Sequence, residues 1–369
     1  MKKILFVATV TSHINSFHIP YLKMFKEQGY EVHVASKGNE NIEYCDKHFE
    51  IPFERFPLKS KNIKAYKQLK NIINENKYEI IHCHTPVGGV LTRLAARKAR
   101  KKYGTKVIYT AHGFHFYKGA PLLNWIIYYP IEKFLARYTD CLIMITQEDY
   151  EFARRKIKAK RIEHVNGVGM NTDRFQKIDK DKVEQLRQEY KISSNDIVFS
   201  YIGELNENKN QILLIKTMEQ IKKKYKNSKL LLVGDGVNKE LYKYEIQRRD
   251  LEGNVYLLGR RKEINEILSL TTIYLAPSIR EGLPVNVMEA MYKGLPIIAT
   301  SNRGHRELIE DGVNGYIVQN NEDELTKKID KLIENKDLRN KMKNESRNKS
   351  LKYRIEEIEK EMKKIYNLK

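Results

Sequence analysis

The sequence predicts an α/β protein built from two parallel-sheet domains, on three observations. Short β-branched and apolar runs alternate with longer stretches whose apolar residues recur at helical spacing. The alternation pauses at a polar, charged stretch over residues 176–195 and then starts again. The length, 369 residues, exceeds what one hydrophobic core normally organises. Alternation of this kind implies parallel strands covered by helices on both faces.

In the first half, strands are expected at 4–10, 31–36, 79–84, 106–111, 141–146 and 162–166, with helices at 17–28, 88–102, 124–138 and 148–156. A helix over 181–189 lies in the charged passage. Strands resume at 197–203, 229–234, 255–258, 273–276, 296–300 and 316–318. From 322 onward the chain is highly charged, with Leu325, Ile329, Ile333, Leu338, Met342, Ile355, Ile358, Met362 and Ile365 at helical spacing. The expected division is a first domain over 1–175, a linker over 176–195, a second domain over 196–345 and a terminal helical segment over 346–369.

Composition narrows the class. The longest apolar candidate for a membrane span, residues 122–131, is short and interrupted by Asn124 and Pro130. The charged start at Lys2 and Lys3 precedes an apolar run that polar residues end at once, so a buried first strand is expected rather than a signal peptide. Cys45, Cys83 and Cys141 are odd in number and show no CxxC spacing. That pattern argues for a reducing cytoplasm and against a disulfide framework or zinc ribbon.

The formal charge is +21, and residues 61–120 hold thirteen Lys and Arg against two Glu. The cluster includes Lys61, Lys64, Lys67 and Lys70, then Arg93, Arg97, Lys98, Arg100, Lys101 and Lys102. No nucleic-acid-binding motif accompanies it, so nucleic acid is not expected as a partner. Two readings stay open: a solvated basic surface, or attraction to an anionic membrane. Beside it lies an aromatic-rich stretch over 121–129 with the only tryptophan, Trp125. It suits either shallow insertion at headgroup depth or a core helix.

The chemistry concentrates in Arg280-Glu281-Gly282-Leu283-Pro284-Val285-Asn286-Val287-Met288-Glu289. Pro284 suits a first helical position and Gly294 a residue just past the helix end. Glu281 would then sit at the helix mouth and Glu289 inside the second turn. Free N–H groups at a helix start bind phosphate oxygens without a metal, and a carboxylate accepts hydrogen bonds from sugar or ribose hydroxyls. Gly203 to Asn210 follows a strand and opens a helix, placing Lys209 where it would meet a diphosphate as a point charge. Gly234-Asp235-Gly236 reads as a tight turn that admits a ligand close to the backbone. His82 and His84 form an H-x-H pair on one strand face. With no third ligand at recognisable spacing, no metal site is expected there.

These motifs together resemble the retaining glycosyltransferases of family 4, whose E-x7-E signature with EGLP at its start corresponds to Glu281 through Glu289. The likeness extends over nearly the whole chain through Ala111-His112-Gly113, Asn166-Gly167-Val168, Gly203 with Lys209, Gly234-Asp235-Gly236, Leu258-Gly259-Arg260, Gly304 to Leu308 and Asp311 to Gly315. Within that family, residues 8–13 and 17–22 look like the bacterial exopolysaccharide and capsule enzymes. The resemblance implies the GT-B fold: two facing Rossmann-like domains with parallel sheets, and a carboxyl-terminal crossover helix returning to the first.

It also implies a UDP-sugar donor, a saccharide or polyprenyl-diphosphate-linked acceptor, and retention without a metal or other cofactor. Catalytic roles fall to His112 and Glu281. Donor contacts fall to Gly203, Lys209, Gly234, Arg260, Gly282, Leu283, Pro284 and Glu289, the last on the ribose. Ser12 and His13, where many relatives carry glycines, are acceptor candidates. The usual Arg directly after Gly203 is Glu204 here, and Arg260, Arg261 and Arg303 are candidates for the missing charge. The expected location is the cytoplasm, and the membrane reading of the basic surface would place the protein peripherally on the inner membrane face. Rival readings are a soluble-acceptor transferase, a UDP-sugar epimerase, or a non-enzymatic membrane- or polymer-binding protein.

Overall fold

The expected alternation becomes two all-parallel sheets in the computed structural model, which describes residues 1–57, 59–117 and 119–368. The chain divides into one unit of Met1–Gly169 with Glu356–Lys369 and a second of Met170–Ile355.

The first unit contains β1 (Lys3–Val10), β2 (Glu31–Lys37), β3 (Lys47–Glu50), β4 (Ile80–His84), β5 (Lys106–Ala111), β6 (Cys141–Met144) and β7 (Ile162–His164), in spatial order β3-β2-β1-β4-β5-β6-β7. Strand β4 is buried at every residue, as expected where helices cover both faces. Its odd and even neighbours divide cleanly. Leu5, Val7, Ile81, Val107 and Tyr109 pack on one side, and Ile4, Phe6, Ile80, Ile108 and Ile143 on the other. The sequence analysis missed β3, because Lys47-His48-Phe49-Glu50 is a partly exposed edge strand with no apolar run.

The helices of this unit are α1 (Thr11–Phe17), α2 (Ile19–Glu27), α3 (Lys61–Asn76), α4 (Pro86–Ala95), α5 (Arg97–Tyr103), α6 (Leu122–Leu135) and α7 (Gln147–Lys156). The helix expected over 88–102 breaks at Ala96 into α4 and α5. Helix α3 buries Asn62, Ala65, Leu69 and Ile73 and turns Lys61, Lys64, Lys67 and Lys70 to solvent. The terminal helix Ile355–Tyr366 supplies Ile358, Met362, Ile365 and Tyr366 to the core of this unit. Tyr366 also bonds His82 Nδ1 at 2.6 Å.

Arg93 departs from its expected place in the basic surface. It is 1% exposed, donates to both oxygens of Glu132 at 2.8 and 3.0 Å, and lies 4.0 Å from the centroid of the Tyr109 ring. A buried guanidinium persists only with such a bidentate partner.

The second unit orders its strands β10-β9-β8-β11-β12-β13. They are β8 (Ile197–Ile202), β9 (Ser228–Val233), β10 (Val255–Gly259), β11 (Ile273–Ala276), β12 (Ile297–Thr300) and β13 (Gly315–Val318). Its helices include α8 (Lys180–Glu189), α9 (Gln211–Lys224), α10 (Lys239–Arg248), α11 (Ile264–Leu270), α12 (Val285–Tyr292) and α13 (Arg303–Leu308). Residues 176–195, expected as a linker, fall inside this unit. The Asp179 side chain caps α8 while its backbone N–H donates to Glu266 at 3.2 Å, and Asn265 Nδ2 donates to the Lys177 carbonyl. The unit boundaries at 169/170 and 355/356 replace those expected at 175 and 345.

Strand order reverses between β1 and β4 in one sheet and between β8 and β11 in the other. At such a reversal the connections leave in opposite directions, and a crevice opens at the strands' carboxyl ends.

Replacing Arg93 by Ala strands the Glu132 carboxylate in the core and is expected to cost about 3–5 kcal/mol. Urea unfolding followed on the first unit checks this, with exposed Lys98→Ala expected to stay within about 0.5 kcal/mol. Equal midpoints for the two variants would remove the buried pair from the account.

Candidate functional site

In the second unit, β8 and β11 deliver their following loops side by side. Ile279 N donates to the Asn208 carbonyl at 2.8 Å, and Asn208 Nδ2 donates to the Arg280 carbonyl at 3.0 Å. This stitching brings Lys209 Nζ to 2.6 Å from Glu281 Oε1, with side-chain exposures of 23% and 11%. Two glycines permit the close approach. A Cβ on Gly304 would lie 2.2 Å from the Gly282 carbonyl oxygen, so only glycine lets α13 press against the loop. Gly234, at φ +141°, would place a Cβ 2.0 Å from the Gly203 carbonyl oxygen.

Helix α12 begins at Val285, one residue later than expected. Pro284 is its N-cap, in extended conformation and without a side-chain cap bond. The first-turn N–H groups therefore lack a side-chain acceptor of their own helix cap. Gly294 stands past the end with φ +71°, as expected for a left-handed C-terminal position. Leu283 and Pro284 are buried beneath the loop.

Glu289 is 6% exposed and accepts a short hydrogen bond from Arg174. Burial pushes its carboxyl up to about 7, against the opposing pull of Arg174. Sequence reasoning missed Arg174, which belongs to a segment with no motif. It also gave His305 no role. That ring is fully buried, with Nδ1 2.7 Å from the Thr300 carbonyl oxygen and 2.9 Å from Asn302 Nδ2. Burial lowers it to about 4, and it feels the charges of both Glu281 and Lys209.

The candidates for the cation missing at Glu204 separate. Arg261 is held by Glu189 at 2.7 Å and Glu263 at 3.1 Å. Arg303 is buried. Arg260 is exposed, as is the Glu204 side chain itself.

In the first unit the stretch expected as a loop after β1 is helical from Thr11. Ser12 faces solvent, while His13 turns inward to meet His18, His84 and His112. One ring nitrogen from each of these four lies within 4.8 Å of the others. His112 Nε2 is 3.4 Å from His84 Nδ1, and the rings of His18 and His84 stack at 3.7 Å. His82, the other half of the H-x-H pair, is instead satisfied by Tyr366 and by Thr110 Oγ1 at 2.8 Å. The further partners of His84 come from the ends of β1 and β5, which no local spacing reveals. Burial lowers His13 to about 4 and His82 to about 3, and drives His18, His84 and His112 well below the ordinary imidazole range.

Beside the histidines, Thr85 adopts φ +62° and ψ 152°, a strained conformation for a β-branched residue. Thr9 braces it, donating its N–H to Thr85 Oγ1 at 3.1 Å and pairing the two hydroxyls at 2.7 Å. Thr9, His13, Arg55, Thr85, His115 and Tyr128 help to line a cavity of about 320 Å³. Neither Arg55 nor Thr85 carried a sequence signal.

The raised Glu289 carboxyl has a definite pH signature. The native state holds a proton that the unfolded chain releases above its ordinary value of 4.5. That stabilisation is complete below about pH 4.5 and is lost as pH rises toward about 7, at up to about 1.4 kcal/mol per pH unit. Stability of Glu289→Gln relative to the parent is therefore expected to improve between about pH 5 and pH 7.5. A pH-independent difference in urea midpoints would contradict the raised value.

Comparison with known proteins agrees with this architecture. Residues 3–146 match the family described as Glycosyl transferase 4-like, and residues 182–349 match Glycosyl transferases group 1. EpsD of Bacillus subtilis (strain 168), named as a glycosyltransferase, is 43% identical over 99% of this chain and 96% of its own length. The Escherichia coli UDP-Gal:alpha-D-GlcNAc-diphosphoundecaprenol alpha-1,3-galactosyltransferase is 29% identical over 72% of this chain and 70% of its own. Among solved structures, Anabaena HepE in complex with UDP superposes with a TM-score of 0.79 at 20% identity, covering all of both chains. Two Rossmann-like parallel sheets, the E-x7-E loop at a strand-order reversal and 43% identity to EpsD along nearly the whole chain place it in the family 4 glycosyltransferases of GT-B fold.

Proposed function

We propose that the protein transfers a hexosyl or N-acetylhexosaminyl unit, with retention, from a UDP-sugar to a polyprenyl-diphosphate-linked or saccharide acceptor in cell-surface polysaccharide synthesis. The observation that carries this reading is the Lys209–Glu281 pair, held at the reversal point of the second sheet beside the uncapped start of α12. A diphosphate arriving there draws Lys209 to its oxygens and frees Glu281 to accept hydrogen bonds from sugar hydroxyls. Gly203, Gly234 and the Gly282-Leu283-Pro284 backbone line the approach. Glu289 takes the ribose hydroxyls once Arg174 shares it, and Arg260 supplies the exposed cation near the nucleotide.

In the transfer, the acceptor oxygen bonds the anomeric carbon on the face from which UDP departs. The bond from that carbon to the diphosphate oxygen breaks, and the leaving phosphate takes the acceptor's proton. Lys209 and the α12 N–H groups hold the developing charge, so no divalent ion is needed at the diphosphate. His112 hydrogen-bonds the transferred sugar near the reacting carbon. His13, Ser12 and Arg55 serve the acceptor, with Arg55 suited to its phosphates. The E. coli relative's name specifies UDP-Gal and a diphosphoundecaprenol acceptor, and HepE holds UDP; both support the proposed chemistry.

Helix α6 favours a lipid-linked acceptor over a soluble one. Its outer face exposes Leu122 at 74%, Leu123 at 62% and Ile126 at 61%, followed by Ile127, Ile131 and Phe134. Its inner face packs Trp125, Tyr128 and Tyr129 on the core. Exposed lysines of α3 and α5 belong to the same unit, and apolar ridges with basic surroundings settle on anionic bilayers. No helix among the described residues is long and apolar enough to cross a membrane, so the expected attachment is peripheral, on the inner face.

Nucleotide release from a panel of UDP- and GDP-sugars, with and without polyprenyl-diphosphate sugars, tests the transfer. One UDP-sugar is expected to react, faster with the lipid-linked acceptor. Glu281→Gln and Lys209→Ala are each expected to lower kcat/KM about 100-fold or more. Parent-like rates in both variants would sink the site assignment, and acceleration by soluble acceptors alone would sink the lipid-linked one. Leu123→Glu with Ile126→Glu is expected to abolish cosedimentation with phosphatidylserine vesicles. Undiminished binding would clear α6 of that role.

A further inference from the structure

We propose that His13, His18, His84 and His112 form a site for one divalent transition ion, zinc first among them, separate from the donor diphosphate. The four rings come from three strand ends at the reversal point of the first sheet: His13 and His18 follow β1, His84 closes β4 and His112 follows β5. Their ligating nitrogens lie within 4.8 Å of one another. The 3.4 Å between His84 Nδ1 and His112 Nε2 matches the separation of about 3.4 Å between nitrogens on a tetrahedral zinc with bonds of about 2.0–2.1 Å.

Unmet bonding capacity points the same way. His13 Nε2, both nitrogens of His18, and His84 Nε2 are buried with no hydrogen-bond partner, and His18 and His84 are each 1% exposed. Buried imidazoles elsewhere in this unit are satisfied: His33 by Tyr78 and Glu31, His82 by Tyr366 and Thr110. Leaving such nitrogens orphaned is costly; one ion takes a single lone pair from each ring, which relieves His13 Nε2 and one nitrogen of His18 while His84 binds through Nδ1.

The donor set selects the ion. Among the described residues the cluster consists of four imidazoles, with no carboxylate or thiol in it. An all-imidazole set suits zinc, copper or nickel and disfavours magnesium and calcium, which require oxygen. Closure around one ion requires His18 to tilt out of its stack on His84, because stacked rings direct their lone pairs side by side. The ion would tie helix α1, which carries His13, to the segment after β5 that carries His112. His112 would bind it through Nε2 and leave Nδ1–H as a polarised donor.

The test is metal content of the tag-free full chain, purified without chelator and measured by inductively coupled plasma mass spectrometry. About one equivalent of zinc or another transition metal per chain is expected, with the oxygen-preferring ions absent. His18→Ala and His84→Ala are each expected to lose it, while His48→Gln retains it. Stripped parent protein titrated with Co2+ is expected to develop the visible absorption of a tetrahedral nitrogen site, saturating at one equivalent. A parent chain that carries no transition metal and shows no such absorption would overturn the proposal, as would metal content unchanged in both alanine variants. If those variants fail to fold, the parent's stoichiometry and its Co2+ titration still decide. Nucleotide release plays no part in these readouts, so the donor assignment stands or falls separately.

Discussion

A parallel sheet covered on both faces has little room for chemistry along its strands. In strand β4 every side chain is buried, and β11 and β12 are equally enclosed. Polar function is confined to where strands end, and it is widest where neighbouring crossovers diverge. Both sheets obey this constraint. The Lys209–Glu281 pair hangs from the ends of β8 and β11, and the histidine group from β1, β4 and β5. Strained Thr85 follows β4 and the αL residue Asn210, at φ +55°, lies in the turn after β8, while Gly234 after β9 and Gly304 on α13 close in from the neighbouring strand ends. The scaffold's regularity thus concentrates its irregularities at the sites.

The two motif carboxylates are not equivalent in this setting. Glu281 keeps a lysine within hydrogen-bond distance at a partly open position, whereas Glu289 is buried deeply enough that its cation does not restore ordinary acidity. Arg174 is itself 47% exposed on its side chain, so water screens the attraction it offers while the carboxylate bears the full desolvation. Glu281 is therefore poised to exchange partners, and Glu289 to hydrogen-bond with its proton shared.

Much of this was legible in the sequence, for identifiable reasons. Strands β5 and β11 were bounded to the residue because their apolar runs are short, continuous and punctuated by turn residues. The Glu281–Glu289 loop was legible because its parts are contiguous. What escaped depends on pairings across the chain. Edge strand β3 draws its identity from β2 alone. Arg93 looks like every other basic residue until Glu132, 39 positions away, arrives beside it. Lys209 and Glu281 are 72 residues apart. The H-x-H pair raised no expectation of a metal site; one of its members is consumed by Tyr366 and the other joins histidines that only topology gathers.

The Arg93–Glu132 contact carries a mechanical consequence. Glu132 lies on α6 and Arg93 on α4, which follows directly on Thr85; the guanidinium also rests on Tyr109 of β5, three residues before His112. Helix α6 is thereby riveted to the sheet through a bond too costly to break during a catalytic cycle. A helix fixed in this way cannot bury its leucines in lipid by peeling away; the whole unit must follow it. For a protein resting on a bilayer through α6, the height of His112 above the headgroups becomes a constant of the fold. The sheet would then act as a ruler, admitting acceptors by how far their reactive hydroxyl stands from the membrane plane.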